Sequence, residues 1–524
     1  MKNSINVLLF LGVLLFALII GRYLTLPGEN YELAELKEKV GDKKVSSVNH
    51  SALAALQREF ESPQQVTETC ISCHTERHKE IMETSHWNWE EETFIKDKGV
   101  MYIGKKDLLN NLCIGVTGNE NTCMKCHIGY GWSDENFDFD EYRNIDCLVC
   151  HDNSGKYAKG KGKAGYPSDK SNLTLAAQSV SSPKRSNCGS CHFFGGGGNN
   201  AKHGDLDVAM VEGSRELDVH MGVDGANMHC VDCHQADNHK IPGQMYTVSS
   251  NNTDRLNCES CHNETPHAKN ILNDHTVKVS CQTCHIPEYA RENATIMRWD
   301  WSTAGDLWDD KPYFEDDEDG NKTYMSQRGS MTWEKNVKPE YAWFNGTAGH
   351  YLLGDPVDPT NSVKMNTLNG EFADGHSKII PVKVHRANQL YDADNLILVQ
   401  PQLTSMSKGD GGYWKDFDWN NSVGIGMKNV NAEFSGKLDF IETELYLPVN
   451  HQVAPVEESV QCNECHTRED GRLAGLNDFY MPGRDKNDFV DIAGKAAIIL
   501  SILVIIAHAT LRILASRNRK KDNS

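Results

Sequence analysis

Cys70-Ile71-Ser72-Cys73-His74 decides the fold, because seven further stretches of the chain repeat its pattern. In each stretch two cysteines stand three positions apart and a histidine follows the second directly. The eight motifs begin at Cys70, Cys123, Cys147, Cys188, Cys230, Cys258, Cys281 and Cys462, and they use all but one of the 17 cysteines. Since C-x-x-C-H is the attachment sequence for c-type haem, the sequence predicts eight covalently bound haem c groups.

The spacing suits haem better than zinc or disulfides. Thiols three positions apart lie on one side of a helical turn, where both can form thioethers with one porphyrin while the next histidine binds the iron. Neither a zinc site nor a disulfide needs a histidine after every pair. The predicted attachment residues are Cys70, Cys73, His74, Cys123, Cys126, His127, Cys147, Cys150, His151, Cys188, Cys191, His192, Cys230, Cys233, His234, Cys258, Cys261, His262, Cys281, Cys284, His285, Cys462, Cys465 and His466.

Composition limits the class of protein. Only 39% of the 524 residues are apolar, below the usual share of about 45–50%, so we expect the haems to fill part of the interior. The net charge of −20 argues against nucleic acid as a partner, because phosphates need a basic surface. Covalent haem attachment takes place outside the bacterial cytoplasmic membrane, which predicts a periplasmic haem domain.

Hydropathy and motif spacing divide the chain into segments. Residues 67–290 hold seven motifs, and 291–475 form a haem-poor region that carries the eighth. The other predicted segments are 1–24 as a signal peptide or N-terminal membrane anchor, 25–66 as a polar helical spacer, 476–495 as a linker, 496–515 as a transmembrane helix and 516–524 as a basic tail. Because a basic flank stays in the cytoplasm, the haem domain is expected on the periplasmic face of the inner membrane.

The predicted fold is a multihaem cytochrome c, mainly α-helical and irregular, packed around eight haems. The haem-poor region is expected to contain a few short strands, with β-like runs at Ile379–Val384 and Leu396–Val399. An acidic run at Glu315–Gly320 could bind Ca²⁺ through carboxylates, although a solvated turn is favoured.

Residues around the motifs resemble one family. They include Cys188-Gly-Ser-Cys-His-Phe-Phe-Gly-Gly-Gly-Gly-Asn-Asn-Ala-Lys-His-Gly-Asp-Leu-Asp, Cys147-Leu-Val-Cys-His-Asp, Cys281-Gln-Thr-Cys-His-Ile-Pro and Arg298-Trp-Asp-Trp-Ser-Thr-Ala-Gly. From about Thr67 to Leu473 the chain is similar to the octahaem tetrathionate reductase family. That resemblance implies reduction of tetrathionate, nitrite and hydroxylamine at one unusual haem, and electron transfer through seven haems with histidine on both faces.

The resemblance also implies catalytic residues. The catalytic haem would belong to the motif of His127, with Lys202 as distal ligand and Cys113, the cysteine outside the motifs, in the same pocket. An amine binds iron only when deprotonated, and once displaced it can serve as an acid beside the substrate. Lys156 and Lys159 are weaker candidates for this lysine. The chain departs from the family at Asn199, where the family has an aspartate, and an amide cannot relay a proton.

Seven other histidines are predicted as distal iron ligands: His86, His220, His239, His267, His275, His385 and His451. Five are kept in reserve: His78, His203, His229, His350 and His376. His50 is set aside because it precedes the haem region, and His508 because it lies in the predicted membrane span. Any of these residues can instead be a polar packing residue.

Two functions fit the sequence. The first is a membrane-tethered oxidoreductase that reduces small nitrogen or sulfur oxo-species and takes electrons from an inner-membrane cytochrome b or another quinol-oxidising subunit. The second is a non-catalytic electron carrier between the quinone pool and a separate reductase, with every haem closed by protein ligands. A high-spin haem signal would separate them. The sequence leaves the oligomeric state open.

Overall fold

The computed structural model describes residues 48–112, 114–243 and 249–521, with side chains up to 516. The chain falls into two compact units, Met1–Val460 and Gln461–Ser524. Cys113, the predicted segment 1–24 and most of the predicted spacer lie outside the described residues.

Helices in the first unit are short, and several coincide with haem motifs. They are α1 (Pro63–Ile71), α2 (Arg77–Met82), α3 (Ser85–Asn88), α4 (Glu120–Cys123), α5 (Leu148–His151), α6 (Leu173–Gln178), α7 (Arg185–His192), α8 (Cys230–Cys233), α9 (Asn270–His275), α10 (Cys281–His285), α11 (Tyr413–Asp416) and α12 (Trp419–Asn429). One helical turn is enough to place both thiols of a motif on one side. Accordingly α7 and α10 end at the histidines of their motifs, His192 and His285.

In its described part, the predicted helical spacer has short helical turns instead of one continuous helix. Residues before α1 form two 3-10 turns, His50–Ala52 and Ala54–Leu56, separated by the extended Leu53. Leu56 and Phe60 bury their side chains in a small core with Leu148. These apolar contacts hold the segment against the helix of the third motif, so it packs as part of the haem region.

Strands dominate the region between the seventh and eighth motifs. A hairpin of β1 (Glu91–Ile95) and β2 (Gly99–Ile103) comes earlier in the chain. The later strands are β3 (Thr295–Asp300), β4 (Leu307–Trp308), β5 (Lys311–Pro312), β6 (Phe314–Asp316), β7 (Lys322–Met325), β8 (Gly329–Glu334), β9 (Glu340–Phe344), β10 (Ala348–His350), β11 (Val363–Lys364), β12 (Asn366–Leu368), β13 (Lys378–Asp392), β14 (Ile397–Leu398) and β15 (Leu438–Pro448). Within the described residues, nine strands form one sheet, in the order β11-β15-β13-β3-β8-β7-β6 with β9 and β14 also on β13.

This sheet corrects the expectation of a few short strands. The 15-residue β13 and the 11-residue β15 pair antiparallel from Val382↔Pro448 to Asp392↔Leu438. In β15 buried and partly exposed residues alternate, as expected when one face of a strand is buried. In β13 the sequence does not alternate between apolar and polar residues, because Lys383, His385 and Gln389 are polar yet buried. The predicted runs Ile379–Val384 and Leu396–Val399 fall within β13 and around β14.

The main apolar core lies against this sheet. It combines Trp299, Leu445 and Met365 with Leu112 and Ala201, which come from the haem-rich part of the chain. The segment up to Leu112 and the loop with Ala201, next to Lys202, are therefore packed on the sheet.

The acidic run forms a turn. Asp317 Oδ1 accepts hydrogen bonds from the backbone N–H groups of Asp319 (3.0 Å) and Asn321 (2.8 Å). Among the described residues no cluster of three or more His, Cys, Asp or Glu side chains has the arrangement of a metal site.

The second unit contains α13 (Cys462–Cys465) and α14 (Asp488–Lys521). Helix α14 begins eight residues before the predicted span at 496, so it takes in the end of the predicted linker. Its stretch Asp488–Ser516, none of which is buried, contains an 18-residue segment with a mean hydropathy of 2.4, so it is long and apolar enough to cross a membrane.

Candidate functional site

Six motif histidines each have a second histidine opposite them. The pairs, with their ring-centroid distances, are His74–His50 (6.3 Å), His192–His86 (6.3 Å), His151–His239 (6.4 Å), His262–His220 (6.0 Å), His234–His451 (6.5 Å) and His285–His267 (6.0 Å). Two imidazoles on opposite faces of one iron have centroids about 6 Å apart, given metal–nitrogen bonds of roughly 2 Å. The pairs therefore fit haem iron between them.

Two of the motif histidines use Nδ1 for a hydrogen bond, which leaves the lone pair of the neutral ring on Nε2. His151 and His234 donate from Nδ1 to the carbonyl oxygens of Ser181 (2.9 Å) and Pro242 (3.0 Å). Histidines that bind a metal commonly donate their other N–H to a carbonyl or carboxylate, which fixes the tautomer and raises ligand basicity.

Three of the distal partners follow the same rule. His239 Nδ1 pairs with Glu80 (2.7 Å), and His267 Nδ1 with the side-chain oxygen of Asn273 (3.0 Å). His451 Nδ1 lies 3.1 Å from Asp205, whose carboxylate also accepts the backbone N–H of His451. Although burial opposes it, hydrogen bonding from His451 holds the pKa of Asp205 below its ordinary value.

Five of the seven predicted distal histidines are in these pairs: His86, His220, His239, His267 and His451. His50 is in a pair too, although the sequence analysis set it aside. The turn capped by Asn49 Oδ1, which accepts the N–H of Ser51, places His50 there. Asn49, just before the turn, is a sequence signal for a cap. Nothing in the local sequence, however, links His50 to His74. His275 and His385 are not among the six pairs, so their role as distal ligands stays a prediction.

Neighbouring motifs are close to one another. The thiols of Cys70 and Cys147, of Cys126 and Cys191, of Cys188 and Cys230, and of Cys258 and Cys281 are close enough that, in each pair, one thiol lowers the pKa of the other. These contacts connect motifs one and three, two and four, four and five, and six and seven. Haems on these cysteines would form adjacent pairs, as electron transfer requires.

His127, the proposed proximal ligand of the catalytic haem, is fully buried in an aromatic box. Its ring lies 4.9 Å from Trp132 and 5.3 Å from Trp87. Nε2 donates to the carbonyl oxygen of Trp87 (2.7 Å), while Nδ1 is buried without a hydrogen-bond partner among the described residues. Burial lowers the pKa of His127 to about 3, with the Lys159 cation adding to the effect, so the ring is neutral and can bind a metal.

Lys202 lies half-buried in the loop after α7, against the glycine tract. A Cβ at Gly195 would stand 3.3 Å from the Cβ of Lys202. Gly196 has φ +79°, which favours glycine, and a Cβ there would stand 3.2 Å from Leu112. The tract therefore allows the backbone to approach both the Lys202 stem and the segment just before Cys113.

Lys383 on β13 holds the Lys202 loop in place through hydrogen bonds. Its fully buried Nζ donates to the carbonyl oxygens of Ala201 (3.1 Å) and Lys202 (2.8 Å), and to the hydroxyl of Thr295. Burial lowers the pKa of Lys383 well below its ordinary value. Sequence analysis missed this residue, because nothing local marks a lysine in a strand as buried.

Two histidines from the sheet region lie near the Lys202 cation. His385 follows Lys383 by two positions on β13, so both side chains are on the same face of the strand. Asn111 holds its ring: the amide oxygen accepts from His385 Nδ1 (3.0 Å), and the amide nitrogen donates to the His385 carbonyl (3.0 Å). His350, at the end of β10, directs Nδ1 to the carbonyl oxygen of Tyr351 (2.5 Å).

Both histidines are neutral. Burial lowers the pKa of His350 to about 4, and Lys202 adds to the effect. Burial also lowers the pKa of His385 well below its ordinary value, together with the Lys383 and Lys202 cations. His385 Nε2 is buried without a hydrogen-bond partner among the described residues. Since Nδ1 carries the proton in each ring, each Nε2 presents a lone pair.

Other predicted residues of this site have structural partners. Lys159, a rival for the iron-binding lysine, is buried, donates to the Gly129 carbonyl (2.8 Å) and pairs with Asp146 (3.4 Å). Asn199 Oδ1 accepts the backbone N–H of Val208 (3.0 Å). Which motif histidine faces Lys202 stays a prediction, as does the role of Cys113, which lies outside the described residues.

Comparison with known proteins identifies the family. The crystal structure of octaheme cytochrome c from Shewanella oneidensis is 40% identical, with a TM-score of 0.77, and the match covers 84% of this chain and 99% of that one. The chain belongs to the octahaem cytochrome c family. This confirms the family resemblance in the sequence.

Two further matches cover smaller parts of the chain. A family described as bacterial cytochrome c matches residues 296–469, which include the C-terminal motif. An uncharacterized protein from Archaeoglobus fulgidus is 25% identical over 228 residues, a match that covers 33% of this chain and 74% of the relative. Membership makes this chain a redox protein with covalently attached haem c.

Proposed function

We propose that this octahaem cytochrome is an oxidoreductase that reduces small nitrogen or sulfur oxo-species, such as tetrathionate, nitrite or hydroxylamine, at a haem with Lys202 as distal ligand. One observation carries the proposal. Six motif histidines face a second histidine, whereas Lys202 lies in a buried polar cluster with His350 and His385, held by Lys383.

The haem would supply the electrons and the iron site for the oxo-species. Cys123, Cys126 and His127 would hold it, in keeping with the neutral, fully buried His127 ring. A lysine amine is a labile ligand compared with imidazole, because it binds only while deprotonated. When substrate displaces Lys202, its amine can take up a proton and donate it to the substrate as an acid.

His350 and His385 would orient the substrate. Their neutral rings present Nε2 lone pairs that can accept hydrogen bonds from the N–H or O–H groups of hydroxylamine or of a protonated anion. Asn111 keeps the His385 ring in one orientation. Asn199 is committed to a backbone amide, so Lys202 is the proton donor in this account.

Electrons would reach this site through the bis-histidine haems. The proximity of motifs one and three, of motifs two, four and five, and of motifs six and seven supports electron transfer between neighbouring haems within each of these three groups. We place the haem domain in the periplasm and α14 in the inner membrane, with its basic end in the cytoplasm. A single helix offers no quinone pocket, so a cytochrome b or another quinol-oxidising subunit would supply electrons.

The test is steady-state reduction of tetrathionate, nitrite and hydroxylamine with reduced methyl viologen. We expect wild type to reduce at least one of them. Lys202→His should close the iron with a tight ligand and lower kcat by about 10²-fold or more, the scale of a lost general acid, while the haems remain reducible by dithionite.

Lys408→His is the control, because Lys408 is exposed and lies on a different loop. It should turn over like wild type. Full turnover in Lys202→His would refute the lysine-ligated site. Failure of wild type to reduce any of the three compounds would favour the carrier function.

A further inference from the structure

Helix α14 needs an apolar environment along most of its length. Its 29 residues from Asp488 to Ser516 are all unburied, and at 1.5 Å per residue they are about 43 Å long, more than the roughly 30 Å of a bilayer's hydrocarbon core. Asp488, Asp491 and Lys495 charge its first turns, and the uncharged apolar run begins at Ala496. The water–lipid boundary therefore falls near Lys495.

The C-terminal haem motif (Cys462, Cys465 and His466) folds onto the base of this helix. His466 Nδ1 donates to the carbonyl oxygen of Pro482 (2.6 Å), six residues before α14 begins. Arg468, two residues after His466, pairs with Asp491 in the first turn of α14 (3.1 Å).

The segment between motif and helix is ordered by its own contacts. The Arg484 guanidinium is only 8% exposed; it donates to the carbonyl oxygens of Leu473 (3.1 Å) and Phe479 (2.6 Å) and pairs with Asp485 (2.7 Å). Met481 is buried as well. Charge-assisted hydrogen bonds of this kind hold a fixed geometry. The C-terminal motif is therefore held close to the helix base, in one compact unit with it.

We propose that electrons from the membrane enter the protein at the haem of the C-terminal motif, from a quinol-oxidising protein embedded in the bilayer. The proposal rests on the membrane attachment within the proposed function and adds the entry point. Electron transfer slows steeply with distance, so a donor in the bilayer reduces the haem held at the membrane surface. Cys462 is exposed, and so are the apolar Tyr480 (55%) and Phe489 (82%); these side chains give the donor an apolar surface.

One quinol is oxidised to quinone in the donor, releasing two protons to water and two electrons. The electrons pass singly to the C-terminal haem, and each reduces one ferric iron to ferrous before it moves on toward the haems of the first unit.

The experiment separates this motif from the helix. A flexible Gly/Ser linker of about 20 residues, with an average span of about 25 Å, is inserted between Asp485 and Lys486 in the full chain. The control carries the same linker after Lys521. Both proteins are placed in native membranes that contain the donor and menaquinol, and haem reduction is followed by stopped-flow absorbance without any terminal substrate.

We expect quinol to reduce the variant with the linker before α14 at least an order of magnitude more slowly than the control, while dithionite reduces both at the same rate. Equal quinol-driven rates would overturn the proposed entry point. Since no terminal substrate is present, the result does not depend on reductase activity. A variant that lost reductase activity but kept normal quinol-driven reduction would contradict the proposed function alone.

A second measurement needs no donor. Vesicles of phosphatidylcholine with a nitroxide on the head group are loaded with the ferric protein, and the nitroxide relaxation rate is measured. The control should enhance relaxation, because a paramagnetic haem lies at the head groups, and the linker before α14 should reduce the enhancement. Equal enhancement in both proteins would also contradict the proposal.

Discussion

Lys383 gives the sharpest test among single residues. Lys383→Met would keep most of the stem but leave the carbonyl oxygens of Ala201 and Lys202 without their buried donor. Since an unsatisfied buried polar group costs about 1–3 kcal/mol, the free energy of unfolding should fall by about that amount, and the Lys202 loop should loosen. Guanidinium denaturation measures the first effect, and the ferric absorption spectrum measures the second.

Lys428→Met is the matched control for Lys383→Met. Lys428 is exposed on α12, so its replacement should change neither stability nor spectrum. If Lys383→Met also behaved like wild type in both measurements, Lys383 would not hold the loop.

Single residues also show what the sequence can and cannot predict. From the sequence alone the attachment cysteines and histidines were predicted, because the chemistry of a haem motif is contained within five consecutive residues. His50 and Lys383 were not, because each depends on a contact made far along the chain: His50 with His74, and Lys383 with Lys202, which is 181 residues away.

Among the elements, β15 contributes to the main apolar core, which also contains Ala201 of the Lys202 loop. Leu445 lies in the middle of β15 and is fully buried in the main core. Leu445→Ala should lower the free energy of unfolding by about 2–5 kcal/mol, the usual cost of such a cavity. The midpoint of guanidinium unfolding, followed by far-ultraviolet circular dichroism, measures it. Leu307→Ala on β4 is the control, because Leu307 is 41% exposed; similar losses in both variants would contradict the described core.

The elements were predicted less well than the motifs. Short helices at the motifs and a long apolar helix near the C-terminus follow from local pattern. The sheet was underestimated because β13 buries Lys383, His385 and Gln389, so its sequence lacks the alternation that identifies a half-buried strand. These buried polar residues interrupt the alternation of apolar and polar residues in β13, the strand that contacts the Lys202 loop through Lys383.

For the whole molecule, the arrangement of motifs predicts the haem content. Eight motifs should give eight covalent haems per chain, because every thiol pair has its histidine. Pyridine haemochrome and intact mass should both count eight in denatured protein. The double variant Cys462→Ser, Cys465→Ser should count seven, and a wild-type count of seven or fewer would contradict the prediction.

In the proposed function, one haem of the octahaem cytochrome differs from the others by its Lys202 ligand. Near-infrared magnetic circular dichroism of the ferric protein tests it most directly, since histidine–lysine and bis-histidine haems have distinct charge-transfer bands. We expect a histidine–lysine band with the intensity of one haem in eight, absent from Lys202→Met and present in Lys408→Met. A spectrum with bis-histidine bands for all eight haems would contradict it.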